Sequence, residues 1–157
     1  MMKQLNIFLI LTILISISCG KKEQKPLTEA EKPLFETVLA ENDKVVKSLL
    51  TTEEVSPNIS ALLVSVDTLA AAKGGLESTA QEMKTALETA KSPDVKVSFV
   101  GFSKFSEILA ETMKANGLQS GRNRFYCPMV KKTWVLSGQR IENPYAPDMR
   151  DCGDLIP

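Results

Sequence analysis

Residues 94–116, DVKVSFVGFSKFSEILAETMKAN, decide the fold class of this chain, because their first half is compatible with either a strand or a helix. β-Branched and aromatic residues between Val95 and Phe102 favour a strand. Apolar residues nevertheless continue at helical spacing as far as Met113, and Asn116-Gly117 is typical of a helix C-cap. The unbroken periodicity therefore predicts a single helix over the whole stretch.

Three segments upstream show the same helical spacing of apolar residues, and each is bounded by the Pro or Gly residues that are typical of helix ends. They run over residues 34–50, 58–73 and 76–91. Because helices joined by short loops pack as antiparallel neighbours, the sequence predicts an all-α protein, an up-down four-helix bundle. Beyond Gly117 we expect an irregular C-terminal tail packed on the bundle, in which residues 130–135 are a candidate strand of a short β-hairpin.

The composition of the chain excludes several classes of function. Its 157 residues fit one domain, and 19 Lys and Arg balance 19 Asp and Glu, which argues against nucleic-acid binding. The chain contains no His, which removes the Ser-His-Asp and Cys-His catalytic systems and the His-ligated zinc sites. We therefore predict that the protein is not an enzyme.

The N-terminal residues resemble a bacterial lipoprotein signal peptide. A positive start at Met1–Lys3 precedes a largely apolar run from Leu5 to Ile17, which is too short to span a bilayer as a stable helix. Ser18-Cys19 then places a small residue directly before a cysteine, as in a lipobox. The sequence predicts cleavage after residue 18 and acylation of Cys19, for example with palmitate. An uncleaved anchor and an ordinary signal peptide with an incidental cysteine are the alternatives.

Lipidation of Cys19 divides the chain into three regions. Residues 1–18 are the signal peptide, residues 19–33 are the acylated cysteine with a charged, flexible tether, and residues 34–157 are the helical domain with its tail. The predicted location is the cell envelope. The protein is then lipid-anchored either at a periplasm-facing membrane surface or at the outer membrane, and both remain open.

The C-terminal tail contains two short sulfur motifs, Cys127-x-Met129 and Met149-x-x-Cys152. Thiolate and thioether ligands select soft ions such as Cu(I) and Ag(I). A Cys127–Cys152 disulfide is the alternative, because two cysteines remain in an exported protein after lipidation. The residues alone favour the disulfide, and the two states can alternate, since oxidation removes both thiolates. A thiol-redox enzyme is disfavoured because the cysteines form no Cys-x-x-Cys motif.

The tail also resembles the signature of a bacterial family, domain of unknown function 3347. The resemblance rests on residues that follow in order: Cys127-Pro128-Met129, Trp134, Leu136-Ser137, Ile141, Asn143-Pro144-Tyr145, Met149 and Cys152-Gly153. Phe105-Ser106-Glu107 in the fourth predicted helix is similar to a further family segment. Two positions depart from the pattern: Tyr126 stands where members commonly carry His, and Ala146-Pro147-Asp148 replaces a typical Tyr-Gly.

The resemblance implies heavy-metal handling outside the cytoplasm, because members occur alone as exported proteins or fused to periplasmic adaptors of copper and silver efflux systems. It implies Cys127, Met129, Met149 and Cys152 as metal ligands and an efflux adaptor as a partner. The leading hypothesis is a membrane-anchored periplasmic lipoprotein that binds Cu(I) or Ag(I) for sequestration or delivery to efflux. The alternative is a structural or interaction lipoprotein whose tail is closed by the disulfide, with no metal role.

Overall fold

Four helices occupy the first part of the described chain, which covers residues 26–157 in this computed structural model. They are α1 at Lys32–Thr51, α2 at Ser60–Ala71, α3 at Glu77–Ala90 and α4 at Val95–Asn116. Each helix packs against the next one along the chain. The four predicted helices are therefore confirmed. The predicted signal peptide and the acylation site at Cys19 lie outside the described residues.

The helical interpretation of the deciding stretch is confirmed, and both ends of α4 show why the helix forms there. The side chain of Asp94 accepts hydrogen bonds from the backbone N–H groups of Lys96 and Val97, at 2.9 and 3.1 Å, which caps the N-terminus. At the other end Gly117 adopts a left-handed conformation, with φ at +64°, and serves as the C-cap. The apolar periodicity places Phe102, Phe105 and Leu109, among others, in the core.

Helices α3 and α4 approach each other closely at Gly101. A Cβ atom at this position would lie 2.7 Å from the carbonyl oxygen of Ala86 and would also overlap the backbone nitrogen of Ala90. Neither neighbour is a flexible side chain, so only backbone displacement can make room. The glycine therefore sets the distance between the two helices.

Replacing Gly101 by Ala is expected to lower the free energy of unfolding by about 1–3 kcal/mol, because overpacking at a backbone contact forces the helices apart. Helix propensity alone would give the opposite sign, since Ala stabilises a helix interior relative to Gly. Urea unfolding of both proteins measures the difference. The matched control is Val100→Ala at the neighbouring position, which is 54% exposed and should be close to neutral. A Gly101→Ala protein more stable than the parent would contradict the close contact.

The C-terminal part forms a three-stranded antiparallel sheet, and here the sequence prediction is wrong. Strands β1 at Arg122–Cys127, β2 at Lys132–Ser137 and β3 at Asp154–Ile156 lie in the order β2-β1-β3. The protein is therefore mixed α/β, and not an all-α bundle with an irregular tail. Only the hairpin of β1 and β2 was anticipated.

The physical reason for the correction is burial of β2. Its residues 133–136 are all buried, so both faces of the strand contribute to the core, and β2 packs against α1 and α4. Phe125 on β1 and Trp134 on β2 are cross-strand partners and both are completely buried. The sheet is thus a second layer that shares the hydrophobic core of the helices.

Side chains from the helical layer cover the outer edge of β2. The backbone N–H of Thr133 donates to Ser103 Oγ at 2.8 Å, and Asn42 Nδ2 donates to the carbonyl of Val135 at 2.9 Å. The hydroxyl of Tyr145 donates to the carbonyl of Thr133 at 2.8 Å. These bonds satisfy edge groups that would otherwise be buried without partners. They also fix the register of the sheet against α1 and α4.

A buried carboxylate joins the start of α1 to the turn between α2 and α3. Glu31 is completely buried, and its side chain accepts hydrogen bonds from the backbone N–H groups of Gly75 at 3.0 Å and Leu76 at 2.8 Å. It also accepts from the backbone N–H and hydroxyl of Thr28, at 2.9 and 2.7 Å. Burial alone raises the pKa of Glu31, but the bonds from Thr28, Leu76 and Gly75 outweigh it, so the pKa lies below its ordinary value.

The Glu31→Gln variant is expected to lose about 1–3 kcal/mol of stability at neutral pH, because an amide cannot accept the same four charge-assisted bonds. Since the folded pKa of Glu31 is lowered, its stabilising effect is present above the ordinary glutamate pKa of 4.5 and is lost as the pH falls through the folded value. Urea unfolding at pH 7 and pH 3 should therefore show a difference from the parent that shrinks in acid. Glu29→Gln is the matched control, since that side chain is 88% exposed. A pH-independent difference would contradict the assignment.

Candidate functional site at the C-terminal disulfide

The structure joins Cys127 and Cys152 in a disulfide. Cys127 is the last residue of β1, and Cys152 follows a short 3₁₀ helix at Pro147–Met149 and precedes β3. The two residues are 25 positions apart, and their Cα atoms are 5.8 Å apart, within the usual range for a disulfide. Of the two interpretations of the sulfur motifs, this geometry corresponds to the disulfide.

The two cysteines have different surroundings. Cys127 is completely buried and lies two residues after Phe125, whose ring stacks on Trp134 at 5.5 Å between centroids. Cys152 is partly exposed. Gly153, next to Cys152, lies against the indole of Trp134, because a Cβ at this position would come within 2.6 Å of the Cη2 atom. Trp134 therefore packs between the core and the chain that carries Cys152.

The two methionines of the predicted metal site lie in different environments. Met129 lies in the β1–β2 turn and is 71% exposed. Met149 ends the 3₁₀ helix and is partly exposed, and its carbonyl accepts a hydrogen bond from the backbone N–H of Cys152 at 3.0 Å. Tyr126, at the position where the resembled family commonly carries His, is partly buried on β1. Met129 therefore lies in the turn that follows Cys127, and Met149 lies in the turn that leads to Cys152.

The donor chemistry of the site depends on the redox state of the cysteines. With Cys127 and Cys152 bonded to each other, no thiolate is present, and two thioethers alone make a weak donor set for Cu(I) or Ag(I). Within residues 26–157 the structure contains no group of three or more His, Cys, Asp or Glu side chains that could hold a metal ion. The oxidised pair offers no thiolate to a soft-metal ion, whereas the reduced pair offers two.

Arg150 holds the segment before Cys152 onto the end of α1. Its guanidinium donates to the carbonyls of Leu49 and Thr52, each at 3.0 Å, and to the carbonyl of Asn143 at 2.8 Å. The amide of Asn143 donates in turn to the carbonyl of Cys152 at 3.2 Å. A cation near unpaired carbonyls at a helix C-terminus is favourable. Sequence reasoning missed Arg150, because nothing local indicates which helix end it reaches.

Tyr145 fixes the same segment from inside the core. The residue is 4% exposed, and its ring lies 5.1 Å from that of Phe99 and 6.3 Å from that of Trp134. Its hydroxyl donates to the carbonyl of Thr133. Burial raises the pKa of Tyr145, so the phenol stays neutral and acts as an anchor. The chain between β2 and Cys152 is therefore held at two points that do not involve the disulfide.

Reduction of the disulfide is expected to lower the free energy of unfolding by about 3 kcal/mol, because the bond closes a loop of ordinary length in the unfolded chain. Urea unfolding with and without tris(2-carboxyethyl)phosphine measures the effect. The double variant Cys127→Ser/Cys152→Ser is the control and should not respond to the reductant. Equal stability of the oxidised and reduced parent proteins would contradict a structural role for the bond.

A shallow groove of about 350 Å³ lies between α1 and α2. It is lined by Leu34, Thr37, Glu41, Ala61, Val64, Ser65 and Thr68. Its one ionisable side chain, Glu41, is ion-paired with Lys44 at 2.6 Å, and Val64 beside it is 65% exposed. This lining is largely apolar surface with hydroxyl groups and one ion-paired carboxylate.

Comparison of the chain with protein-family models, with curated proteins and with solved structures finds no match in any of the three. The resemblance to domain of unknown function 3347 therefore stays a prediction. Among residues 26–157 there is also no helix long and apolar enough to cross a membrane.

Proposed function

We propose that the chain is a membrane-anchored lipoprotein of the cell envelope, with a non-catalytic interaction domain whose C-terminal part is closed by a disulfide. The Cys127–Cys152 bond carries this proposal, because structural disulfides form and persist in oxidising compartments such as the periplasm and the cell surface. The apolar leader and Cys19 in the sequence support the same location. Acyl chains at Cys19 provide the anchor, and the charged residues between Cys19 and the buried Glu31 provide the tether.

The side chains on the described surface support an interaction role. The chain has no His, and the groove between α1 and α2 contains a single, ion-paired carboxylate. Exposed apolar side chains stand at Val64 on α2 and at Val97 and Val100 on α4. Such side chains provide binding area but no acid–base or nucleophilic chemistry. Binding to another envelope component is therefore the function that these residues support best.

The proposal is tested by trapping the thiols in the intact envelope. Cells that express the full chain are treated with iodoacetamide before lysis, and the alkylated cysteines are counted by mass spectrometry. We expect no alkylation at Cys127 or Cys152, and alkylation of both after reduction. The Cys127→Ser variant is the control, since its unpaired Cys152 should react without reduction. Two alkylated cysteines in the untreated parent would overturn the proposal.

Binding of Cu(I) or Ag(I) by the reduced protein is the second candidate function. The observation that favours it is the position of the two sulfurs, which are close enough to bond and so present two thiolates after reduction. Met149 shares a turn with Cys152 and offers a thioether nearby. The ion is then cargo, and an efflux adaptor is a suitable recipient.

An anaerobic titration tests this second candidate. The reduced protein competes with bicinchoninate for Cu(I), and the expected result is one Cu(I) per chain with loss of binding in Cys152→Ser. The variant Met129→Ala separates the contribution of the exposed thioether. If the reduced parent takes no Cu(I) from the chelator, the metal hypothesis is wrong and the interaction role stands alone.

A further inference from the structure

Only one of the two cysteines of the disulfide is accessible to an external thiol. Cys127 is completely buried in the core, whereas Cys152 is partly exposed. A thiolate must reach the sulfur that it attacks, so access decides which mixed disulfide forms. We infer that Cys152 is the site at which an external thiol reduces the bond, and that this reduction releases strand β3 from an otherwise folded domain. The inference rests on the proposed disulfide-closed state.

A dithiol reductant supplies the two electrons that reduction of the Cys127–Cys152 disulfide needs. Its thiolate attacks the Cys152 sulfur, a new S–S bond forms to Cys152, and the Cys127–Cys152 bond breaks with Cys127 leaving as the thiolate. The Cys127 thiolate then takes a proton from water, since a buried site disfavours the charged form. The second thiol of the reductant attacks the mixed disulfide and releases Cys152. Two electrons pass to the protein, and the dithiol leaves as its own disulfide.

The chain before Cys152 does not depend on the disulfide for its position. Arg150 remains bonded to the carbonyls at the end of α1, and Tyr145 remains in the aromatic cluster. The Asn143 amide also holds the carbonyl of Cys152. Reduction therefore leaves residues 138–150 in place, whereas Cys152 loses its covalent link to β1.

The chain after Cys152 is held much more weakly. Strand β3 has three residues, of which Asp154 and Leu155 are exposed and Ile156 is partly exposed. Its pairing with β1 involves three register positions, and a hydrogen bond of 3.3 Å from Lys114 Nζ to the carbonyl of Pro157 lies at the surface. So short an exposed strand has little apolar burial to offset its ordering entropy. The disulfide next to it supplies the missing constraint.

Release of β3 uncovers the one edge of the sheet that the helices do not cover. Two residues of β2 direct backbone groups away from β1. The N–H and carbonyl of Thr133 bond to Ser103 and Tyr145, and the carbonyl of Val135 bonds to Asn42. Alternation in an antiparallel ladder then directs the backbone groups of their partners, Tyr126 and Arg124, toward β3. These two residues become the free edge in the reduced protein.

Mapping the mixed disulfide tests the site of attack. The oxidised full-length mature protein in detergent is exposed briefly to reduced glutathione, quenched with acid and digested with trypsin. Cleavage after Arg124, Lys131 and Arg150 places Cys127 and Cys152 in separate peptides. We expect the glutathione adduct on Cys152. An adduct found on Cys127, or equally on both cysteines, would overturn the inference.

Hydrogen exchange followed by NMR tests the structural consequence in the parent protein. On reduction the backbone amides of Arg124 and Tyr126 should exchange at least about tenfold faster, whereas amides of Phe125 and of α4 should keep their protection. Cys152→Ser should reproduce this pattern without reductant. Unchanged protection at Arg124 and Tyr126 would overturn the release of β3, and general loss of protection would show that the bond holds the whole domain.

Failure of this inference is distinguishable from failure of the proposed function. Thiols that are free in the envelope overturn the disulfide-closed state, whatever the glutathione map shows. A disulfide present in the envelope with an adduct on Cys127 leaves the proposed function intact and overturns only the assignment of Cys152.

Discussion

Replacing Trp134 by Ala is expected to lower the free energy of unfolding by about 3–5 kcal/mol, because the change creates a large cavity between the helical layer and the sheet. The indole is completely buried and stacks on Phe125, with the ring of Tyr145 6.3 Å away. Gly153 approaches the indole edge from the other side. Loss of the indole therefore removes contacts to β1, to the segment of Tyr145 and to the chain beside Cys152.

Urea unfolding followed by far-UV circular dichroism measures this effect, since the variant lacks the only tryptophan of the chain. Trp134→Phe is the matched control. Its expected cost is smaller, because a phenyl ring keeps part of the stacking and the indole Nε1 finds no hydrogen-bond partner within residues 26–157. A loss below about 1 kcal/mol in Trp134→Ala would contradict the core position of the indole.

The helical layer could be predicted because its signals are local. In α4 the apolar residues recur at helical spacing, Asp94 precedes the first turn and Gly117 follows the last. Each of these features acts within one or two turns of chain, so the sequence alone contains the information. Even the β-branched start of α4 did not mislead, because the periodicity continued beyond it. Tertiary packing only adjusted the helix ends by one or two residues.

The sheet could not be predicted in the same way because its signals are not local. The buried residues 133–136 of β2 are consecutive, so the strand shows no alternation of apolar and polar residues. Strand β1 begins Arg122-Asn123-Arg124, and β3 has three residues. Strands β1 and β3 are neighbours in the sheet but are separated in the sequence by β2 and the long segment that follows it. The composition of the C-terminal part is therefore typical of a loop, although its backbone forms paired β-strands.

The candidate site was predicted in part. The two cysteines favoured a disulfide on the residues alone, but two cysteines near two methionines also left a soft-metal site open. The structure shows the two sulfurs bonded and Met129 71% exposed, and neither feature follows from sequence. Glu31 and Arg150 were missed for a related reason. Four of their partners are backbone groups 44 to 101 residues away, which leave no trace in residue identity.

The Cys19→Ala variant is expected to lose all lipid attachment. In the parent protein we expect a mature chain that begins at Cys19 and carries acyl chains, each worth about 0.8 kcal/mol per buried methylene. One chain alone binds a membrane marginally, whereas two or more hold a protein there stably. Alanine has no sulfur to accept a chain, so the effect on attachment is complete rather than graded.

Labelling with an alkyne analogue of palmitate, followed by mass spectrometry of the N-terminal peptide, measures the outcome. The parent should be labelled and lack residues 1–18, and Cys19→Ala should be unlabelled and retain them. Cys152→Ser is the matched control and should keep the label, since it removes a cysteine that the disulfide already occupies. Each of the two alternative interpretations of residues 1–18 predicts a different result in this experiment. An unlabelled parent that keeps the leader indicates an uncleaved anchor, and an unlabelled parent cut at another position indicates an ordinary signal peptide. Either result would leave the disulfide-closed domain without its lipid and would overturn the lipid-anchored form of the proposal.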